Sequence, residues 1–244
     1  MRRAHGFTLL EILASTAIGT IVLLLGVAAL STTGNEYGRS TDGVAAEREA
    51  RAILTLVAED LSKAWGFLEM DESSAAWRTD KLGFTCLQAA DAQAVDEAVG
   101  DLCLVHYYVK DLEIGRETVR CLMRGFRSSD VVFDALRNDT VDQLYEERTV
   151  DEPVAFGVIS FEVDGLIRQS GGSWKVWDKK SDDPFAEKPD AVRMKLVVAR
   201  RELVGKLRTT ADWDSSPLIG RPADVDQSRT LEIYEMTHPI GHAD

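Results

Sequence analysis

The sequence lacks the residue groupings on which most enzyme and metal sites depend. Its histidines are scattered, at His5, His106, His238 and His242, and no Gly-x-Ser-x-Gly, P-loop or His-Glu-x-x-His pattern occurs. It has three cysteines but no Cys-x-x-Cys pair and no cysteine–histidine cluster with zinc spacing. We therefore expect no enzyme, no metal site and no cofactor.

Calcium is the one metal for which the sequence offers candidate ligands. Acidic pairs occur at Asp182 and Asp183 and at Asp212 and Asp214. Neither pair belongs to a loop with the full set of oxygen ligands that a calcium site needs. Solvated turns are therefore the favoured interpretation of both pairs.

Positive charge is scarce. The chain has 28 Lys and Arg residues against 41 Asp and Glu residues, which gives a net charge of −13. Such an acidic surface repels phosphate backbones and argues against a nucleic-acid partner. It suits a domain outside the cytoplasm, but it identifies no partner.

Charge is absent from residues 12–30. The longer apolar segment 7–30 has 24 residues, and as a helix it would be roughly 36 Å long, enough to cross a ~30 Å hydrocarbon core. Arg2 and Arg3 precede it, and positive flanking residues stay on the cytoplasmic side. The segment predicts one membrane-spanning helix, with the rest of the chain on the side of the membrane away from the cytoplasm.

Glu11 is the one acid in this segment. A carboxylate in a membrane helix costs a few kcal/mol, so it usually has a function and a partner. The alternative is that Glu11 lies near the interface and extends toward water. An ordinary secretory signal peptide is a further alternative, but its apolar region is shorter and contains no acid.

The hexapeptide 6–11, Gly-Phe-Thr-Leu-Leu-Glu, resembles the cleavage and methylation site of type IV pilin-like proteins, which include the pseudopilins of type II secretion. The resemblance implies that a prepilin peptidase cuts between Gly6 and Phe7 and methylates the new amino group of Phe7. It also implies an assembly role for Thr8 and Glu11, with the Glu11 carboxylate pairing with the N-terminal amine of a neighbouring subunit.

The remaining sequence predicts an α+β fold. Apolar residues recur at three- and four-residue spacing over 45–68, which indicates an amphipathic helix. Beyond this region the period falls to two, as in β-strands. The candidate strands are 82–87, 102–109, 119–124, 158–163, 191–199 and 230–236. Together with the resemblance, this predicts a pilin-like fold in which a long N-terminal helix, its first half spanning the membrane, packs on an antiparallel sheet.

Four segments follow from these patterns and from the resemblance, which implies a protein anchored in the inner membrane with its C-terminal domain in the periplasm. They are a leader at 1–6, a transmembrane half-helix at 7–30, its amphipathic continuation at 31–68 and a periplasmic β-rich domain at 69–244. Within the last segment, composition predicts a loop at 211–228 and a frayed tail after Thr237.

The cysteines fall in the domain that is predicted to face an oxidising space. One interpretation is a single disulfide with one remaining thiol, and Cys103 with Cys121 is the favoured pair because both fall on predicted neighbouring strands. The alternative is three buried thiols that act as small apolar residues.

Several stretches also resemble the J-type minor pseudopilins of type II secretion. They are 59–61, 105–109 with its paired tyrosines, 121–124, 161–165, Trp174, Trp177 and 189–196. Residues 141–150, 171–173 and 211–228 have no counterpart in that family.

The resemblance implies a structural subunit at or near the tip of a pseudopilus, which helps to export folded proteins. Its implied partners are other minor pseudopilins, the pseudopilus filament, the prepilin peptidase and the inner-membrane assembly platform. Two alternatives remain open: a minor pilin of a type IV pilus, and a membrane-anchored binding module.

Overall fold

The computed structural model describes Thr20 and residues 50–87, 101–177 and 189–240. The chain divides into two units, Met1–Ala45 and Ala46–Asp244. In the first unit Thr20 is helical and exposed, and the other residues of the predicted membrane helix lie outside the described residues. No helix among the described residues is long and apolar enough to cross a membrane.

Helix α1 covers residues 50–62 of the described chain. Its buried stripe has the predicted three- and four-residue spacing and consists of Ile53, Leu54, Val57 and Leu61. The helix ends earlier than predicted, because strand β1 occupies Ala64–Asp71. The prediction of a helix up to residue 68 is therefore wrong at its C-terminal end, where Gly66 weakens the helix and pairing with a neighbouring strand replaces it.

The first antiparallel sheet has the strand order β1-β2-β3-β4-β5. The bounds of its other strands are β2 Lys81–Leu87, β3 Leu102–Ile114, β4 Glu117–Arg127 and β5 Glu152–Phe156. The second antiparallel sheet has the order β7-β6-β8-β9. Its strands are β6 Val158–Arg168, β7 Trp174–Val176, β8 Ala191–Ala199 and β9 Leu231–Pro239. Helix and antiparallel sheet together confirm the α+β class.

One apolar core joins α1 to both sheets. It contains the stripe of α1 together with residues from the inner face of each sheet, such as Phe84 and Val105 in the first and Phe161 and Met194 in the second. The loop before β2 adds a backbone link, since the Asp80 amide donates to the Phe161 carbonyl across 2.9 Å. Helix and sheets therefore form the inner layers of the domain.

Short helices cover the outer faces of both sheets. Helix α2, Ser129–Asn138, and a 3-10 helix, Val141–Tyr145, pack on the first sheet. On the second sheet lie α3 Arg201–Val204, α4 Thr210–Ser215 and a 3-10 helix at Pro222–Gln227. The prediction that 211–228 is all loop is wrong, because Trp213 is fully buried there and draws the segment onto the sheet.

The C-terminal strand extends further than predicted. Strand β9 continues to Pro239, and the buried Ile240 donates its amide to the Asp190 carbonyl across 2.9 Å. The prediction of a frayed tail after Thr237 is therefore wrong up to residue 240, because backbone pairing and an apolar contact hold these residues.

Candidate functional site

The predicted processing and assembly residues are Gly6, Phe7, Thr8 and Glu11, and all four lie outside the described residues. The described residues show instead which contacts hold the second unit together. Its charged side chains form buried clusters that link each layer of the fold to the next.

The first cluster joins helix α1 to the centre of the first sheet. Tyr107 on β3 donates its hydroxyl to Oδ2 of Asp60 across 2.7 Å, and Nε of Arg124 on β4 donates to the same oxygen across 3.0 Å. Tyr107 and Arg124 are direct partners in the strand register. Asp60 is only 1 % exposed, and burial raises the pKa of Tyr107. The contact therefore fixes the end of the helix on two central strands.

The second cluster lies on the opposite face of the same sheet. Arg127 holds Asp151 with two hydrogen bonds, of 2.6 and 3.2 Å, and donates to the Glu146 carbonyl across 2.8 Å. Asp151 also accepts from the Tyr108 hydroxyl and the Arg148 amide, both at 2.9 Å. Burial opposes the charge of Asp151, but these hydrogen bonds outweigh it and lower its pKa. The cluster fastens the segment before β5 to the sheet.

His106 completes the second cluster as a neutral acceptor. Nη2 of Arg127 lies 3.0 Å from Nε2 of His106, and a guanidinium can only donate, so the proton of the neutral imidazole is assigned to Nδ1. Burial and the Arg127 charge lower the His106 pKa to about 4, against the opposing effect of Asp151. His106 therefore stays uncharged at neutral pH.

Two glycines make room for this histidine and its cover. Gly83, His106 and Gly125 are register partners across β2, β3 and β4. A Cβ atom at Gly125 would collide with the His106 ring, and one at Gly83 would collide with the Tyr145 ring. The two glycines thus leave the space that the His106 and Tyr145 rings occupy on this face of the sheet.

A third cluster fastens the C-terminal segment to β4. Arg120 binds Asp111 through Nε at 2.7 Å and Asp214 through Nη2 at 2.6 Å, and its Nη1 donates to the Trp213 carbonyl at 3.1 Å. Burial opposes the charge of Arg120, but the hydrogen bonds to the two aspartates outweigh it and raise its pKa. The indole of Trp213 donates to the Thr118 carbonyl across 2.9 Å.

Asp212 and Asp214, one of the two acidic pairs noted in the sequence, have different structural roles. Asp214 binds Arg120, whereas Asp212 caps α4 by accepting from the backbone and the hydroxyl of Thr209. The other pair, Asp182 and Asp183, lies outside the described residues. Asp212 and Asp214 therefore serve protein contacts in this structure.

A cavity of about 520 Å³ lies beside the third cluster, with Trp77, Lys110, Asp111 and Arg120 in its wall. Its charged groups already have protein partners: Lys110 contacts Glu147 at 3.1 Å, and Asp111 holds Arg120. These ion pairs compensate the charges of Lys110, Asp111 and Arg120 within the protein.

The structure does not bring Cys103 and Cys121 together. All three cysteines are buried thiols, and Cys103 lies opposite Cys86 whereas Cys121 lies opposite Lys110. The predicted pairing of Cys103 with Cys121 is wrong, because the two residues lie on opposite faces of the sheet and many register positions apart.

The two tryptophans of the family resemblance differ in exposure. Trp177 packs against Gly165 and donates its backbone amide to the Gly165 carbonyl across 2.7 Å. Trp174 on the edge strand β7 is 49 % exposed. Trp177 therefore packs on the second sheet, whereas the Trp174 side chain is half exposed.

The sequence analysis did not identify the buried charges of these clusters. Asp60 follows Val57 by three residues and so shares the buried stripe of α1. That spacing is the signal that could have identified it. Arg127 and Asp151 carry no comparable signal, because they meet only through the loop that follows α2.

Comparison with known proteins bears on the N-terminus alone. Residues 1–27 match the family model described as the prokaryotic N-terminal methylation motif. This motif is typical of type IV pilins and pseudopilins, and it supports processing by a prepilin peptidase, membrane anchoring and filament assembly. No curated protein matches the chain.

Proposed function

We propose that this chain is a minor pseudopilin, a structural subunit at or near the tip of a type II secretion pseudopilus that helps to export folded proteins. The observation that carries the proposal is the methylation motif at residues 1–27, followed in the same chain by an α+β domain. The stretches that resemble J-type pseudopilins include the pair Tyr107 and Tyr108, and both of these tyrosines bind a buried aspartate.

In this proposal the N-terminal helix anchors the subunit in the inner membrane until the subunit joins the filament. A prepilin peptidase cuts after Gly6 and leaves a methylated amine on Phe7. The Glu11 carboxylate then attracts the amine of the next subunit, and the low dielectric of the membrane strengthens this attraction. The pairing sets the register of subunits in the filament.

The domain acts as a rigid body in the periplasm. The contact of Asp60 with Tyr107 and Arg124 fixes the end of α1 to the sheet, so a displacement of this helix moves the sheet with it. The helices on the outer faces add bulk, which is tolerated at a filament tip because no further subunit stacks above it. The buried clusters have structural roles, and the chain performs no catalysis in this proposal.

A minor pilin of a type IV pilus is the second candidate. It would use the same N-terminal motif, and the segments without a J-type counterpart favour it. One of them, 211–228, forms ordered short helices around the buried Trp213. A different tip partner would be recognised through such family-specific segments.

Deletion of the gene in its native cell separates the two candidates. The proposal predicts that secreted proteins accumulate in the periplasm while surface pili are unaffected, and that the wild-type gene restores secretion. Glu11→Ala should fail to restore it, whereas Glu36→Ala, an acid outside the apolar segment, should succeed. Loss of pili with normal secretion would support the second candidate, and no change in either would contradict both.

A further inference from the structure

Two cysteines stand directly opposite each other in the core of the first sheet. Cys86 on β2 and Cys103 on β3 are register partners in an antiparallel pair. They are 0 % and 1 % exposed, and both belong to the core that α1 packs against. Register partners project from the same face of a sheet, so the two side chains are neighbours.

The backbone geometry of this position suits a disulfide. Opposite residues of an antiparallel pair have Cα atoms about 4.5 or 5.5 Å apart, depending on the hydrogen-bonding site. Both values fall within the range of about 4.4–6.8 Å between the Cα atoms of disulfide-linked residues. The strand register therefore places the two cysteines at a Cα separation that a disulfide can span.

The third cysteine is excluded by its place in the sheet. Cys121 lies on β4 opposite Lys110, on the face that carries the second cluster, and its thiol donates to the Val119 carbonyl at 3.6 Å. Tyr107 and Arg124 occupy the other face with Cys103. Cys121 therefore supplies an internal reference, a buried thiol with no cysteine opposite it in the strand register.

We propose that Cys86 and Cys103 form a structural disulfide in the mature protein. The formation of this bond in the cell rests on the proposed function, which puts the domain in the oxidising periplasm. In the reaction the two thiols lose two protons and two electrons, and a sulfur–sulfur bond forms between them. The oxidant is a disulfide-bearing protein or small molecule, which accepts the electrons and protons and leaves as two thiols.

The folded core protects this position from later exchange. Burial, with smaller effects from the Asp60 charge and from Cys103, raises the pKa of the Cys86 thiol to about 12. Thiolate is the reactive form, so the folded thiol attacks a disulfide slowly. The bond therefore forms while β2 and β3 are still accessible, and folding then shields it from reductants.

Refolding of the full chain tests the bond independently of the cell. The chain is unfolded and reduced, refolded in detergent with oxidised and reduced glutathione, quenched with acid, and alkylated with N-ethylmaleimide in denaturant. Mass spectrometry of the digested protein should show a peptide pair linked through Cys86 and Cys103 and alkylation at Cys121 alone. The linked form should melt about 5–10 °C above the reduced form.

A matched variant and a second source of protein complete the test. Cys121→Ser should retain the link in full. Alkylation of all three cysteines after refolding, or a link that involves Cys121, would overturn the disulfide. Protein from cells, with its thiols blocked at lysis, should carry the same link. A link that forms on refolding but is missing from the cellular protein would contradict the periplasmic location, and so the proposed function, rather than the geometry of the pair.

Discussion

Tyr107 donates a hydrogen bond to Asp60 across 2.7 Å, and this contact attaches helix α1 to the central strands of the first sheet. Arg124 shares the same carboxylate oxygen at 3.0 Å. A carboxylate, a guanidinium and a hydroxyl thus meet in a buried region, where a charge is stable only when it is paired. The arrangement makes the helix and the sheet one mechanical unit.

Removal of the acid should destabilise the domain far more than removal of the hydroxyl. Asp60→Ala leaves the buried guanidinium of Arg124 without this carboxylate, and we expect a loss of about 3–5 kcal/mol in the free energy of unfolding. Tyr107→Phe removes one hydrogen bond to a charged group, for about 2 kcal/mol. Urea unfolding of the full chain in detergent, followed by tryptophan fluorescence, measures both.

Tyr234→Phe is the control for this pair, since its hydroxyl binds Glu232 on the partly exposed strand β9. We expect it to cost less than 1 kcal/mol. Equal losses in Tyr107→Phe and Tyr234→Phe would show that the Asp60 contact adds nothing to the attachment of the helix.

Gly125→Ala should destabilise the domain because its Cβ would enter the space of the His106 ring. Overpacking of this kind costs about 1–3 kcal/mol. Gly171→Ala is the matched control, because nothing lies near the position of its added Cβ. In a double-mutant cycle, His106→Ala should reduce the cost of Gly125→Ala, and additive losses would rule out the proposed collision.

Acid should weaken the domain before its carboxylates are protonated. The His106 pKa is about 4 when folded, against 6.5 for an ordinary histidine. Between these values the unfolded chain binds a proton that the folded chain does not, so the free energy of unfolding falls as the pH drops from 6.5 to 4. The loss in the free energy of unfolding over this range is roughly 3 kcal/mol, and His106 causes no such loss above pH 6.5.

Urea unfolding at several pH values between 4 and 7 measures this dependence. His106→Asn should flatten it, although the variant itself is less stable at neutral pH. His238→Asn should leave most of it in place, because His238 lies on the edge strand β9 and is only partly buried. A slope that survives in His106→Asn would assign the dependence to other groups.

Periodicity predicted the strands that alternate over a long buried stretch, and it missed those with weak local signals. Strand β8 was predicted with its observed bounds because one face alternates strictly from Val192 to Val198. Strand β5 is five residues long and contains Pro153, and β7 has three exposed residues. Pairing with a neighbour creates these short strands, and pairing is not visible in local sequence.

The N-terminal motif could be predicted from residues 6–11 because its residue types occur in a fixed order, whereas the buried clusters and the cysteine pairing depend on register. A shift of one residue moves a side chain to the other face of a sheet. Spacing alone therefore could not show that Cys103 lies opposite Cys86, or that Gly125 lies opposite His106.

The mature N-terminus tests the central claim most directly. The full chain is produced in cells with an active prepilin peptidase, and the purified protein is analysed by N-terminal sequencing and intact mass. We predict that the chain begins at Phe7 and carries one added methyl group on its amine, and that Gly6→Val blocks the cleavage. A chain that keeps Met1–Gly6, or one that begins near Ser31 after cleavage by an ordinary signal peptidase, would contradict the assignment as a pilin-like subunit.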